Sequence, residues 1–156
     1  MTREEQLEQE AYDHDVDIIE HYVFESSRLK GLYSENVIAL SKSINSKKEK
    51  CCILAEELGH HFTTVGDILN QNIDGNRKQE YRARLWAYNK QIGLTGIIKA
   101  YEFGCQSLYE MADYLDITEE FLLEALSCYK SKYGLHTKIG NYIIYFEPYL
   151  AVIKMI

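Results

Sequence analysis

The 156-residue chain contains a single proline, Pro148, so little in it would interrupt long helices. Its four cysteines, at 51, 52, 105 and 128, form neither a C-x-x-C motif nor a pair of zinc-ribbon spacing. No apolar run approaches the roughly 20 residues that a membrane-spanning helix needs. These absences argue against a zinc ribbon and against a helical membrane protein.

Positive charge is also scarce. Lys and Arg number 17 against 24 Asp and Glu, which gives a net charge of −7. Nucleic acids and anionic membranes bind proteins through clustered cations, so we expect neither as a partner. The first 15 residues, MTREEQLEQEAYDHD, are charged throughout and unlike a secretion signal. We therefore expect a cytoplasmic protein with reduced thiols.

The hydrophobic fraction of 46% is sufficient for one domain, 1–156, with a real core. Helices are predicted over 2–13, 45–64, 76–104 (broken near Gly93 to Gly96) and 107–134 (broken at 116–118). Strands are predicted over 16–24, in a hairpin within 29–44, and over 140–153, with a loop from Gly66 to Gly75. This order predicts an α+β fold, in which a small antiparallel sheet packs on a mostly helical body.

The segment Glu56 to His60, E-E-L-G-H, differs at one position from the H-E-x-x-H signature of zinc peptidases. Residues i and i+4 project from one face of a helix, so Glu56 and His60 can hold one metal ion. Glu57 then occupies the position of the general base. A carboxylate is an acceptable zinc ligand, but its negative charge should make the ion a poorer Lewis acid. The alternative is chance, because glutamate is a common residue in helices.

A third ligand is needed, and Glu80 on the following predicted helix is the candidate. Ala83 and Ala87 follow Glu80 at helical spacing, and small residues let two helices approach closely. Such an approach would bring Glu80 toward Glu56 and His60. The alternative for Glu80 is an exposed ion pair with Arg84, four residues later.

Other candidate ligands carry weaker signals. Cys52 lies one turn before Glu56, but the adjacent Cys51 dilutes its significance. His61 points about 100° away from His60 on a helix, and packing or solvent contact is the simpler interpretation. It remains a candidate for contact with a substrate or its oxyanion. The remaining histidines, at 14, 21 and 136, have no partner at ligand spacing.

Residues 106–126, QSLYEMADYLDITEEFLLEAL, have the apolar spacing of a helix-turn-helix, which suggests a small DNA-binding regulator as a rival function. Six acids and no Lys or Arg lie between Ser107 and Cys128. Phosphate would repel such a surface, so we expect no direct DNA binding. The simple interpretation is a helical hairpin that completes the core, and the sharper one is an acidic face that recognises a basic partner.

The segments ILAEELGHHFTTVGD, EYRARLWA, LYEMADYLDITEEFLLEAL and GNYIIYFEP occur in an order that resembles the ImmA/IrrE family of metallo-endopeptidases. The resemblance runs from about Asp15 to Pro148. It implies a zincin-like active-site helix with Glu57 as the catalytic residue. Glu56, His60 and Glu80 are the implied metal ligands. The chain departs from the family pattern at Glu56, where the family has its first His, and at Arg84, where it commonly has Asn.

The resemblance implies a zinc cofactor, although two carboxylates and one imidazole also suit Mn²⁺. It implies a metallopeptidase-like core over 1–104, a helical hairpin over 105–134 and a C-terminal strand region over 135–156. Family members encoded on prophages and other mobile elements act on a helix-turn-helix repressor, so the expected function is an anti-repressor endopeptidase. The alternative is a weak or inactive member that antagonises the repressor by binding alone.

Overall fold

The structure is a computed structural model that describes residues 1–63 and 73–156. It confirms the α+β class. The helices are α1 Arg3–Asp13, α2 Lys47–Thr63, α3 Ile73–Gln91, α4 Gly93–Phe103, α5 Leu108–Leu115 and α6 Glu119–Tyr133. The strands are β1 Asp17–Tyr22, β2 Gly31–Ser34, β3 Val37–Ser41, β4 His136–Ile139, β5 Tyr142–Tyr145 and β6 Ala151–Lys154. The chain forms two compact units, Met1–Lys90 and Gln91–Ile156, and the finer boundaries expected after 104 and 134 stay a prediction.

In the first unit, the side chains that cap the two leading helices can be recognised in the sequence. The Thr2 hydroxyl accepts a hydrogen bond from the Glu5 N–H at 3.1 Å and starts α1. The Ser46 hydroxyl does the same for the Glu49 N–H at the start of α2. Helix α2 then buries Leu54 and Leu58 completely and packs on β2 and β3. One face of α2 is therefore buried in the core, and the adjacent face is only partly buried.

The first sheet has the strand order β1-β3-β2. The predicted hairpin is present, since β2 and β3 pair antiparallel, with Glu35 and Asn36 at positive φ in the two-residue turn. This first sheet is mixed, because β1 pairs parallel with β3. The strand β2 therefore forms an edge of this sheet.

The predicted loop from Gly66 to Gly75 lies mostly outside the described residues. Its last residues, 73–75, belong to α3, so this helix begins earlier than the sequence suggests. The break between α3 and α4 falls at Ile92, beside the predicted Gly93.

The second unit contains the predicted helical pair. The hydroxyls of Ser107 and Thr118 cap α5 and α6, and Asp116 adopts the left-handed conformation at the end of α5. The apolar spacing predicts buried side chains at Leu108, Met111, Leu115, Ile117 and Leu122. The last four are buried, whereas Leu108 is exposed. The hairpin therefore completes a core in this unit.

The last part of the unit is a second sheet. Its strand order is β4-β5-β6, and both strand pairs are antiparallel. The sequence predicts a single strand region over 140–153, whereas the structure has β5 and β6 there and β4 before them. Within the part of the chain that the structure describes, no helix is both long and apolar enough to cross a membrane. All four cysteines are free thiols.

Candidate metal centre

Helix α2 carries Glu56, Glu57 and His60, and it approaches α3 very closely. At Gly59 a Cβ atom would lie 2.3 Å from the carbonyl oxygen of Ala83, so only glycine fits there. Ala83 and Ala87 are both fully buried. Small residues on the two helices thus allow backbone-to-backbone contact, as their spacing in the sequence suggests.

This contact aligns the candidate ligands on either side of it. His60 follows Gly59, and Glu80 precedes Ala83 by about one helical turn. His60 Nε2 lies 3.3 Å from Glu80 Oε1. Two ligands of a tetrahedral zinc ion, each about 2.0–2.1 Å from it, would be about 3.4 Å apart, so the imidazole and carboxylate have a separation that suits a shared ion.

The alternative partner of Glu80 is present as well. Arg84 Nε lies 4.0 Å from Glu80 Oε2, and both side chains are more than half exposed. An exposed pair at this distance contributes little to stability. Each carboxylate oxygen of Glu80 thus faces a different neighbour, His60 on one side and Arg84 on the other.

The Glu57 carboxyl is the most perturbed acid of the site. Burial raises its pKa to about 7, and the negative charges of Glu56 and Glu80 act in the same direction. The backbone N–H of Tyr33 donates a hydrogen bond to it, which opposes the rise. Gly31 lets β2 pass close to α2 here, since a Cβ there would lie 2.6 Å from Ile53 Cγ2 and 3.2 Å from Glu57 Cγ. Glu57 is therefore a group that can exchange a proton near neutral pH.

Glu56 is half-buried, and its carboxylate is not close to both of the other candidate ligands. The described residues contain one group of three whose candidate ligand atoms all lie within 4.8 Å of one another, and it consists of Glu4, Glu8 and Glu20. Glu56, His60 and Glu80 do not form such a group in the structure. The structure thus brings His60 and Glu80 together. Glu56 is linked to the site because its negative charge helps to raise the pKa of Glu57.

The acidic group of Glu4, Glu8 and Glu20 already has a cation. Lys50 Nζ lies 2.6 Å from Glu4 Oε1 and 3.3 Å from Glu8 Oε1, and it also contacts Glu20. The ammonium occupies the place where an ion would bind. This cluster therefore links α1, β1 and α2 and does not need a metal.

His61 has a partner that the sequence does not predict. The Tyr33 hydroxyl lies 2.7 Å from His61 Nδ1, so β2 orients this imidazole. Burial lowers the pKa of His61, and the charge of His14 lowers it further. The adjacent Phe62 stacks on Trp86 of α3 at 5.1 Å and meets the edge of His14. These ring contacts pack the end of α2 against α3 and against His14, the residue that follows α1.

The other candidates lie elsewhere. Cys52 is buried, while His21 and His136 are exposed. The roles of Glu56, Glu57, His60, Glu80 and His61 in binding or catalysis stay predictions. Tyr33 is the residue that the sequence analysis missed, and no local signal could have revealed it, because its contact with His61 joins residues 28 positions apart.

A model of the IrrE N-terminal-like domain, peptidase family M78, matches residues 2–127. The match covers well over half of the chain and includes both helices of the candidate site. No curated protein and no solved structure matches the chain.

Proposed function

This chain belongs to the IrrE N-terminal-like domain family of metallopeptidases, and from that premise we propose that it is a zinc-dependent endopeptidase. Glu57 would be its general base, and Glu56, His60 and Glu80 would hold the metal. The observation that carries the proposal is the contact of His60 with Glu80 beside the half-buried Glu57 carboxyl.

The protein's own groups support this chemistry. The pKa of Glu57 is about 7 in the metal-free protein, and a neighbouring cation would lower it, so the carboxylate is available to accept a proton from an attacking water and deliver it to the leaving amine. A zinc ion held by His60 and the two carboxylates would supply Lewis acidity toward the scissile carbonyl. The Tyr33 hydroxyl holds the His61 ring in one orientation, where it can contact a substrate.

The substrate we propose is a helix-turn-helix repressor encoded on the same mobile element. This rests on the resemblance of the ordered motifs to ImmA/IrrE proteins, which act on such repressors. Cleavage would remove the repressor and switch on the element's genes.

A second candidate function is antagonism of the repressor by binding alone. Two observations favour it: a glutamate stands where the family has its first ligand histidine, and Glu56 does not converge with His60 and Glu80. The extra anionic ligand would weaken the Lewis acid and with it the rate of hydrolysis.

Incubation of the purified repressor with the zinc-loaded chain tests the first function. We expect cleavage by the wild type and none by Glu57→Gln, with Glu25→Gln as an exposed acidic control that cleaves normally. If Glu57→Gln still derepresses the element in cells and the wild type cleaves nothing, the binding function is correct and the peptidase function is wrong.

A further inference from the structure

The second unit contains an apolar groove that the proposed catalytic site does not use. Its volume is about 630 Å³. Leu108 and Met111 of α5 form one wall, and Leu126 and Lys130 of α6 form the next. Phe146 and Tyr149, on the chain between β5 and β6, close the other side. Every lining residue belongs to the second unit.

The apolar surface of α6 continues beyond the groove. Residues 119, 123, 126 and 130 follow the helical period, so Glu119 and Leu123 lie on the same face as the lining residues Leu126 and Lys130. Leu123 is 52% exposed and Leu108 is 38% exposed. Large apolar side chains left in water beside an apolar groove indicate a binding surface.

Acidic side chains outnumber basic ones on the two helices that form the groove. Among its lining residues the charged side chains are Lys130 and Glu147, and these two form an ion pair with each other. Six exposed acids lie on α5, on α6 and in the turn between them, at 110, 113, 116, 119, 120 and 124, with no Lys or Arg between Ser107 and Cys128. The groove is therefore neutral inside, and its border at the start of α6 is negative through Glu119 and Glu120.

We propose that this groove binds an amphipathic helix of a partner protein, with an apolar face for the groove and Lys or Arg along its flanks. Apolar side chains at i, i+3, i+4 and i+7 of such a helix would enter the groove. Its cations would meet Glu119 and Glu120 at the border. A second copy of this chain, with a net charge of −7, would bring like charge to the same border, and an anionic lipid surface would be repelled.

The proposal gives the proposed endopeptidase a docking site, and in that respect it rests on the proposed function. A helix-turn-helix repressor exposes basic residues for its contact with DNA, so a basic amphipathic helix of such a protein would suit the groove and its acidic border. The groove would hold the repressor through such a helix, outside the residues that carry the chemistry.

The test uses the full-length chain carrying Glu57→Gln, so that binding is measured without cleavage. The probe is a fluorescein-labelled peptide of about 18 residues, or five helical turns, made of Leu and Lys with the leucines at the helical period. A second peptide has the same composition with strictly alternating Leu and Lys. We expect fluorescence anisotropy to show micromolar binding of the helical peptide and at least about tenfold weaker binding of the alternating one.

Two double variants locate the site. Leu108→Ser with Leu123→Ser should weaken binding at least about tenfold through lost apolar contact. Glu119→Lys with Glu120→Lys should weaken it by a similar factor at low salt. The control is Glu5→Lys with Glu25→Lys, which reverses two exposed acids of the first unit, one of them also in the first turn of a helix. It should leave affinity unchanged within about twofold.

Equal binding of the two peptides, or an equal loss in the control variant, would mean general attraction to an acidic protein and would overturn the proposal. Tighter binding of the alternating peptide would also overturn it, because the occupant would then be a strand. Concentration-dependent dimerisation that Leu123→Ser abolishes would assign the groove to a second copy instead. Because the assay needs neither zinc nor hydrolysis, its outcome is independent of whether the proposed peptidase activity is correct.

Discussion

Replacement of Glu57 by Gln should stabilise the metal-free protein, and it should do so only where the carboxyl is ionised. Burial raises the pKa of Glu57 from the usual 4.5 to about 7. The folded state therefore binds this proton more tightly than the unfolded state does. The tighter proton binding therefore stabilises the folded state fully below pH 4.5, and this stabilisation is lost as the pH rises through 7.

The magnitude follows from the two pKa values. A tenfold difference in proton affinity corresponds to about 1.4 kcal/mol, so keeping Glu57 ionised in the folded protein costs about 3 kcal/mol at pH 8. Gln has nearly the same shape and no charge. We expect Glu57→Gln to raise the free energy of unfolding by about 2–3 kcal/mol at pH 8 and to change it little at pH 4.5.

Urea unfolding in the presence of EDTA at pH 4.5, 6, 7 and 8 measures this difference. Trp86, the single tryptophan, stacks on Phe62 beside the site, so its fluorescence reports on the first unit. Glu25→Gln is the control, because it removes an exposed carboxylate of the same unit. A difference in the free energy of unfolding between the wild type and Glu57→Gln that stays constant from pH 4.5 to 8 would refute the claim that ionised Glu57 destabilises the folded protein.

Three further substitutions test the packing of the same unit. Gly59→Ala should destabilise it by about 3 kcal/mol in urea unfolding, because the new Cβ would meet the Ala83 carbonyl oxygen; an unchanged midpoint would contradict the close helix approach. Tyr33→Phe should cost about 1 kcal/mol through the lost hydrogen bond to His61 while zinc affinity, measured by calorimetry, stays the same. Lys50→Met should cost about 1–3 kcal/mol by leaving three carboxylates together, with a smaller loss in 1 M NaCl; equal losses at low and high salt would argue against a charge effect.

Local chemistry explains which parts of the fold could be predicted. Thr2, Ser107 and Thr118 mark helix starts because each hydroxyl bonds an N–H only three residues away. The turn at Glu35 and Asn36 is likewise determined within a few residues. The strand β4 was not predicted as a separate strand within the C-terminal strand region 135–156, since His136 to Ile139 alternate polar and half-buried residues too weakly to stand out beside the apolar β5. The parallel pairing of β1 with β3 depends on strands far apart in sequence, which no local pattern specifies.

Some features of the candidate site can likewise be predicted from the sequence, and others depend on the tertiary structure. The i, i+4 spacing of Glu56 and His60 and the small residues Ala83 and Ala87 are visible in the sequence, and the close approach of their helices follows from them. The depth at which Glu57 is buried depends on β2 crossing over it at Gly31, a contact between distant segments. The sequence therefore indicates which side chains belong to the site, and the tertiary structure determines their protonation and orientation.

The central claim is that α2 and α3 together hold one metal ion, and zinc titration by calorimetry tests it most directly. The wild type should bind about one equivalent, and both His60→Ala and Glu80→Gln should weaken binding at least about tenfold. Glu20→Gln, in the acidic group around Lys50, should leave zinc binding unchanged. Binding of less than about a tenth of an equivalent by the wild type, or a loss of binding in Glu20→Gln and not in His60→Ala, would contradict the claim.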